Sequence, residues 1–115
     1  MDEYTAASLY GAKNNCVKAV LKAFQPASKM ADDEIVSHAK MGGGRAPEGR
    51  CGALYAALQL PQIARIDPQK ADDAFREEAG STNCQEIRQK RKLTCRECVA
   101  LGARLLTWKN LLIKE

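Results

Sequence analysis

The sequence predicts an all-α fold, a single-domain helical bundle of about five to six helices. β-branched residues are sparse, apolar alternation with a period of two never persists, and the good helix formers Ala, Leu, Lys, Gln, Glu and Arg dominate. At 115 residues the chain suits one domain spanning residues 1–115, large enough to bury a core without staples.

Leu9, Ala12, Cys16, Val20 and Phe24 recur at steps of three or four, which predicts one helix from about Thr5 to Phe24, ended by Pro26. A short helix over about Asp33 to Lys40 stops at Gly42, Gly43 and Gly44, since glycine takes the left-handed cap conformation at little steric cost. The loop GGGRAPEG leads into a helix beginning at Cys51 and reaching about Leu60, before Pro61. Asp67 followed by Pro68 reads as a cap and a first-position proline, opening a helix that Gly80 closes.

Ser81 is the expected N-cap of a helix carrying Cys84, which then falls at its third position. A capping box usually has Glu or Gln there, and a thiolate would accept the same bond. Thr94 and Glu97 match the capping box itself, so the last helix starts there. Its stripe of Cys98, Leu101, Leu105, Trp108 and Leu112 predicts a face packed on other helices.

No apolar run approaches the roughly 18 residues a membrane helix needs. The N-terminus MDEYTAASLYGAKNNC opens on acids and lacks the order of a secretory signal, which places the protein in the cytoplasm. The net charge of +4 owes much to Arg88, Lys90, Arg91, Lys92 and Arg96. Without interleaved aromatics this segment argues against nucleic acid and for a solvated face or a docking face for an acidic partner. His38 reads as a solvated helix residue, and Asp32, Asp33, Glu34, Asp72 and Asp73 as acids complementing helix dipoles.

The five cysteines are the chemical signal. Thiols in a reducing compartment are better explained by metal or redox chemistry than by structural disulfides. In GRCGALYA, Cys51 stands where a loop becomes a helix, and Cys84 and Cys95 also fall in first turns, where free N–H groups and the helix dipole favour a thiolate. Arg50, Arg88 and Arg96 lie beside these positions in sequence and add to that effect if they are near in space. Cys16 is expected on the apolar face of the first helix, pointing into the bundle, and Cys98 is expected to pack in the core. Cys95-Arg-Glu-Cys98 spells C-x-x-C, but no second such pair completes a zinc ribbon, and Val99 stands where haem attachment needs His.

Four stretches in order, CVKAVL at Cys16, GGGRAPEGRCGALYAAL at Cys51, FREEAGSTNC at Cys84 and CRECVALGARLL at Cys95, resemble the C-GCAxxG-C-C family of small helical redox-active proteins. The chain departs from the family pattern at Ala56, where glycine is expected, and in the short segment between Cys84 and Cys95; Cys98 is an addition. The resemblance implies a redox centre built on Cys16, Cys51, Cys84 and Cys95, with a redox partner protein. Four thiols converging from four helices suit an iron–sulfur cluster, with Gly42, Gly43, Gly44 and Gly52 letting backbone approach the sulfurs. The same set suits a dithiol/disulfide relay or a structural zinc site, and an interaction module with merely buried cysteines is the alternative.

Overall fold

The computed structural model describes residues 3–11, 14–42, 44–60 and 67–106. Seven α-helices are found among them: α1 (Glu3–Leu9), α2 (Cys16–Ser28), α3 (Asp32–Ala39), α4 (Gly52–Gln59), α5 (Pro68–Ala79), α6 (Cys84–Lys90) and α7 (Cys95–Leu105), with a single 3₁₀ turn at Pro47–Gly49. The all-α fold is as expected, with more and shorter helices. Trp108 and Leu112 lie outside the described residues.

The extra helix comes from a break in the expected first one. Gly11 and Asn14 exchange backbone bonds of 3.0 and 3.1 Å, and Asn14 Nδ2 donates to Leu9 O at 3.0 Å, closing a tight turn between α1 and α2. Asn15 then caps α2, its side chain accepting from Lys18 N at 2.9 Å. Apolar periodicity runs straight through this turn, which is why the sequence pattern hides it. Cys16 is therefore the first residue of α2, not a mid-helix position. Pro26 does not end the helix either. It lies exposed within the last turn, and the chain leaves α2 at Lys29, which takes a left-handed conformation with φ of 58°.

Most local cap signals hold. Asp67 accepts from Gln69 N at 3.0 Å at the start of α5, and Gly80 closes that helix with φ of 89°, a conformation costly for any residue with a Cβ. Thr94 and Glu97 form the capping box in full, with bonds of 3.1 and 2.9 Å. Thr94→Ala is expected to cost about 1 kcal/mol of stability, measured by urea unfolding. The cap of α6 is Asn83 rather than Ser81. Asn83 accepts from Glu86 N at 3.1 Å, whereas Ser81 accepts from Asn83 N and donates to Glu86 at 2.6 Å. Cys84 is thus the first helical residue, not the third.

The core is a packed sandwich of α2, α4 and α7, flanked by α1, α3 and α5. Val17, Val20, Leu21, Leu54, Phe75, Val99 and Leu105 are fully buried in it. The approach of α4 to α7 is unusually close: a Cβ built on Gly102 would stand 2.8 Å from the Ala53 carbonyl oxygen. Glycine at 102 is what lets the two backbones meet.

Other expectations need correction. His38 is half-buried rather than solvated; its Nδ1 shares a 2.9 Å hydrogen bond with the Tyr55 hydroxyl, and the rings meet edge to face. Asp32, Asp33 and Glu34 do occupy the first turn of α3, but Asp72 and Asp73 lie beyond the first turn of α5 and pair with Arg50 at 3.6 Å and Arg76 at 3.3 Å. Arg88, Lys90, Arg91 and Lys92 are exposed, as expected. Two of them also hold the fold together, since Lys90 and Lys92 donate to the Gly80 and Glu77 carbonyls at 2.8 Å, at the C-terminal end of α5 where cations are favoured.

Candidate functional site

The site is assembled where several helices begin. Segment 48–51 runs beside 82–83: Cys51 N donates to Thr82 O at 2.7 Å, Arg50 and Asn83 bridge, and Asn83 Nδ2 donates to Glu48 O at 3.3 Å. This pairing sets the start of α4 against the start of α6. Asn15 Nδ2 donates to Ala39 O at 2.8 Å, fastening the start of α2 to the end of α3, and Gly42 packs against that asparagine. The capping box orients the start of α7.

These starts surround one cavity of about 630 Å³ that is lined by Cys16, Cys51, Cys84, Cys95 and Cys98. The four cysteines expected to converge beside the glycine loop do so, and Cys98 joins them. No disulfide joins any of the five. Gly42 and Gly52 also line the cavity, and a Cβ added at Gly52 would fall on Cys16 Sγ. One added at Gly44 would stand 3.6 Å from Cys84 Cβ and 4.0 Å from its sulfur. The expected close approach of backbone to a thiol is therefore present at Gly52; at Gly44 the distance to Cys84 is that of ordinary contact, Gly42 abuts Asn15 instead, and Gly43 lies outside the described residues.

The thiols differ in their surroundings. Cys51 caps α4 and is 6% exposed; Cys98, in the second turn of α7, is 2% exposed. Cys98 donates a hydrogen bond to the Cys51 sulfur, and this bond is the main reason the Cys51 pKa falls to about 7. Burial opposes the shift. The neutral thiol makes no formal capping bond, yet the N–H groups of Ala53 and Leu54 and the Arg88 charge all favour its ionised form. The same bond, with burial and the neighbouring thiol charges, pushes the Cys98 thiol far up. The two thiols are thus shifted in opposite directions.

Cys95 is half-buried, and both the Arg88 guanidinium and the Tyr10 hydroxyl hydrogen-bond to it. Burial, the contact with Cys95 and its charge hold the Tyr10 hydroxyl in its protonated form to higher pH than usual. Burial also raises the Cys84 thiol, against the pull of Arg88.

Of the arginines expected near the thiols, only Arg88 serves them directly. Arg50 is turned to Asp72, and Arg96 donates to Tyr10 O at 3.2 Å with its guanidinium 6.0 Å above that ring. Arg45 and Arg91 line the cavity instead, and among the described residues no carboxylate lines it. Sequence reasoning missed Arg45, Arg91, Tyr10 and the Cys51–Cys98 contact. A cysteine four residues before a helical glycine, Cys98 and Gly102, is the one local sign that this face of α7 meets another backbone.

As placed, the thiols do not form a ready metal site: among the described residues no three His, Cys, Asp or Glu side chains are grouped to hold one ion. No helix among them is long and apolar enough to cross a membrane. No family model, no curated protein and no solved structure matches the chain.

Proposed function

We propose that the protein is a small redox-active protein whose cysteines carry electrons by cycling between dithiol and disulfide. The observation that carries this reading is the gathering of five thiols around one arginine-lined cavity, where the Cys98 thiol favours the ionised form of Cys51. A thiolate beside a protonated thiol is the starting arrangement for thiol–disulfide exchange. The resemblance of the sequence to the C-GCAxxG-C-C family points the same way. Reduced thiols suit the cytoplasm, and the exposed basic residues Arg88 and Arg91 suit an acidic redox partner protein that restores the dithiol.

An iron–sulfur cluster on Cys16, Cys51, Cys84 and Cys95 is a second reading, favoured by thiols arriving from the starts of four helices. The donor set as placed does not fit it, nor zinc, because no three ligands are grouped around a point among the described residues.

Anaerobic purification followed by iron, sulfide and zinc analysis, with thiols counted before and after diamide oxidation, tests the proposal. A colourless, metal-free protein that loses two titratable thiols for each disulfide formed is expected. Iron with sulfide in the product would favour the cluster, and thiols untouched by diamide would favour an interaction module with buried cysteines.

A further inference from the structure

We infer that the cavity is a binding site for a small organic molecule with an apolar body and carboxylates at more than one point. The binding needs no redox step, so it stands whether or not the thiols cycle. At about 630 Å³ the space falls in the range of sites that enclose a small organic molecule, and it is far larger than one water molecule needs. Part of its wall is apolar: Ile87 is buried, and Leu93 and Tyr10 are half-buried against the core. Hydrocarbon laid against that wall leaves water, which favours an organic ligand over a bare ion.

Charge defines the class further. Arg45, Arg88 and Arg91 line the cavity, and among the described residues no carboxylate does. Other arginines nearby are committed elsewhere, Arg50 to Asp72 and Arg96 to the Tyr10 carbonyl. The side chains of Arg45 and Arg91 make no hydrogen bond or ion pair among the described residues. Even with Cys51 ionised, three cations face one anion there. That excess rejects cationic ligands and draws anionic ones.

Each guanidinium offers a planar fork of N–H donors that matches one carboxylate. The forks come from two separate segments, Arg45 from the loop before the 3₁₀ turn and Arg88 and Arg91 from the end of α6. Donors set at separate points fit carboxylates at separate points better than a single phosphate, whose charge is concentrated in one place.

Isophthalate, an apolar ring with two carboxylates, tests this against isophthalamide, which has the same shape without charge, and against inorganic phosphate. Binding to the full-length chain, kept reduced at low salt, is followed by NMR titration of the amide spectrum. The place of binding is read from the rate at which iodoacetamide modifies each cysteine. Isophthalate is expected to bind about tenfold or more tightly than either comparison compound, with the advantage shrinking as salt screens the exposed arginines. Its binding is expected to slow the modification of Cys84 and Cys95. The double variant Arg45→Gln, Arg91→Gln, checked for helicity by circular dichroism, is expected to bind about tenfold more weakly. Should that variant not fold, the three compounds compared on the unaltered chain still decide. Equal affinity for isophthalamide, equal affinity for phosphate, or unchanged modification of both cysteines overturns the inference. None of these results bears on the redox reading, which the thiol count after diamide oxidation decides separately.

Discussion

Gly102→Val is expected to cost about 3 kcal/mol of stability and to move the ionisation of Cys51 upward by drawing Cys98 away from it. In an exposed helix interior, replacing glycine with a residue that has a Cβ is usually favourable or mildly costly, because the unfolded chain loses freedom. At Gly102 the sign is reversed by what the new atom meets. A Cβ there would lie 2.8 Å from the Ala53 carbonyl oxygen, 3.2 Å from its carbonyl carbon and 3.3 Å from its Cβ, and backbone cannot rotate away as a side chain can. The helices must separate. Because Ala53 is two residues from Cys51 and Gly102 is one turn from Cys98, that separation also moves these two cysteines apart.

Gly52 provides the contrast. Its added Cβ would fall on Cys16 Sγ and stand 3.0 Å from Val17 Cγ2, both parts of side chains. Rotation of Cys16 can relieve much of that clash, so Gly52→Ala is expected to cost less than Gly102→Val while disturbing Cys16. Urea unfolding of the two variants, with the pH profile of thiol alkylation as second readout, checks both statements. Equal stabilities for Gly102→Val and the unaltered protein would mean that α4 and α7 do not approach as closely as their backbones indicate.

Features encoded within a single turn were legible in the sequence. Asp67 before Pro68, Gly80 at the end of α5, and Thr94 with Glu97 each act through neighbours two to four residues away, and each forms as expected. Features decided by distant segments were not. Ser81 and Asn83 are both good caps; the pairing of Arg50 with Asn83 and the Glu48 carbonyl bond select Asn83, and neither partner is near in sequence. The turn at Gly11 to Asn14 was masked because the apolar spacing on its two sides happens to stay in phase. Of the thiols, Cys51, Cys84 and Cys95 were legible as loop-to-helix junctions, whereas Cys16 read as a mid-helix residue because the turn before it is hidden, and Cys98 read as a packing residue because a buried cysteine looks the same in either role.

The alkylation of Cys51 by iodoacetamide is expected to follow an ionisation near pH 7, well below the range of an ordinary cysteine. The groups that face it are Cys98 on α7, with Cys95 beyond, and Arg88 and Cys84 on α6. The hydrogen bond from Cys98 and the Arg88 charge favour the thiolate, burial disfavours it, and the first effect is the largest. A lowered pKa means that the reactive form is lost only as the pH falls through about 7, so the rate is half its plateau near that value and levels off above it. An unperturbed thiol with a pKa near 8.5 is only a few per cent ionised at neutral pH, so Cys51 should carry on the order of ten times more thiolate there. Burial lowers the absolute rate without moving the midpoint, which is why the profile and not the rate is the measure. Cys98, raised by the same bond, should stay unmodified across this range in the folded chain. Replacing Cys98 with Ala removes the main donor, and the Cys51 midpoint should move upward. Site-resolved alkylation read by mass spectrometry distinguishes the cases: a Cys51 midpoint at or above 8.5, or one indifferent to Cys98→Ala, would show that the two sulfurs do not share that bond.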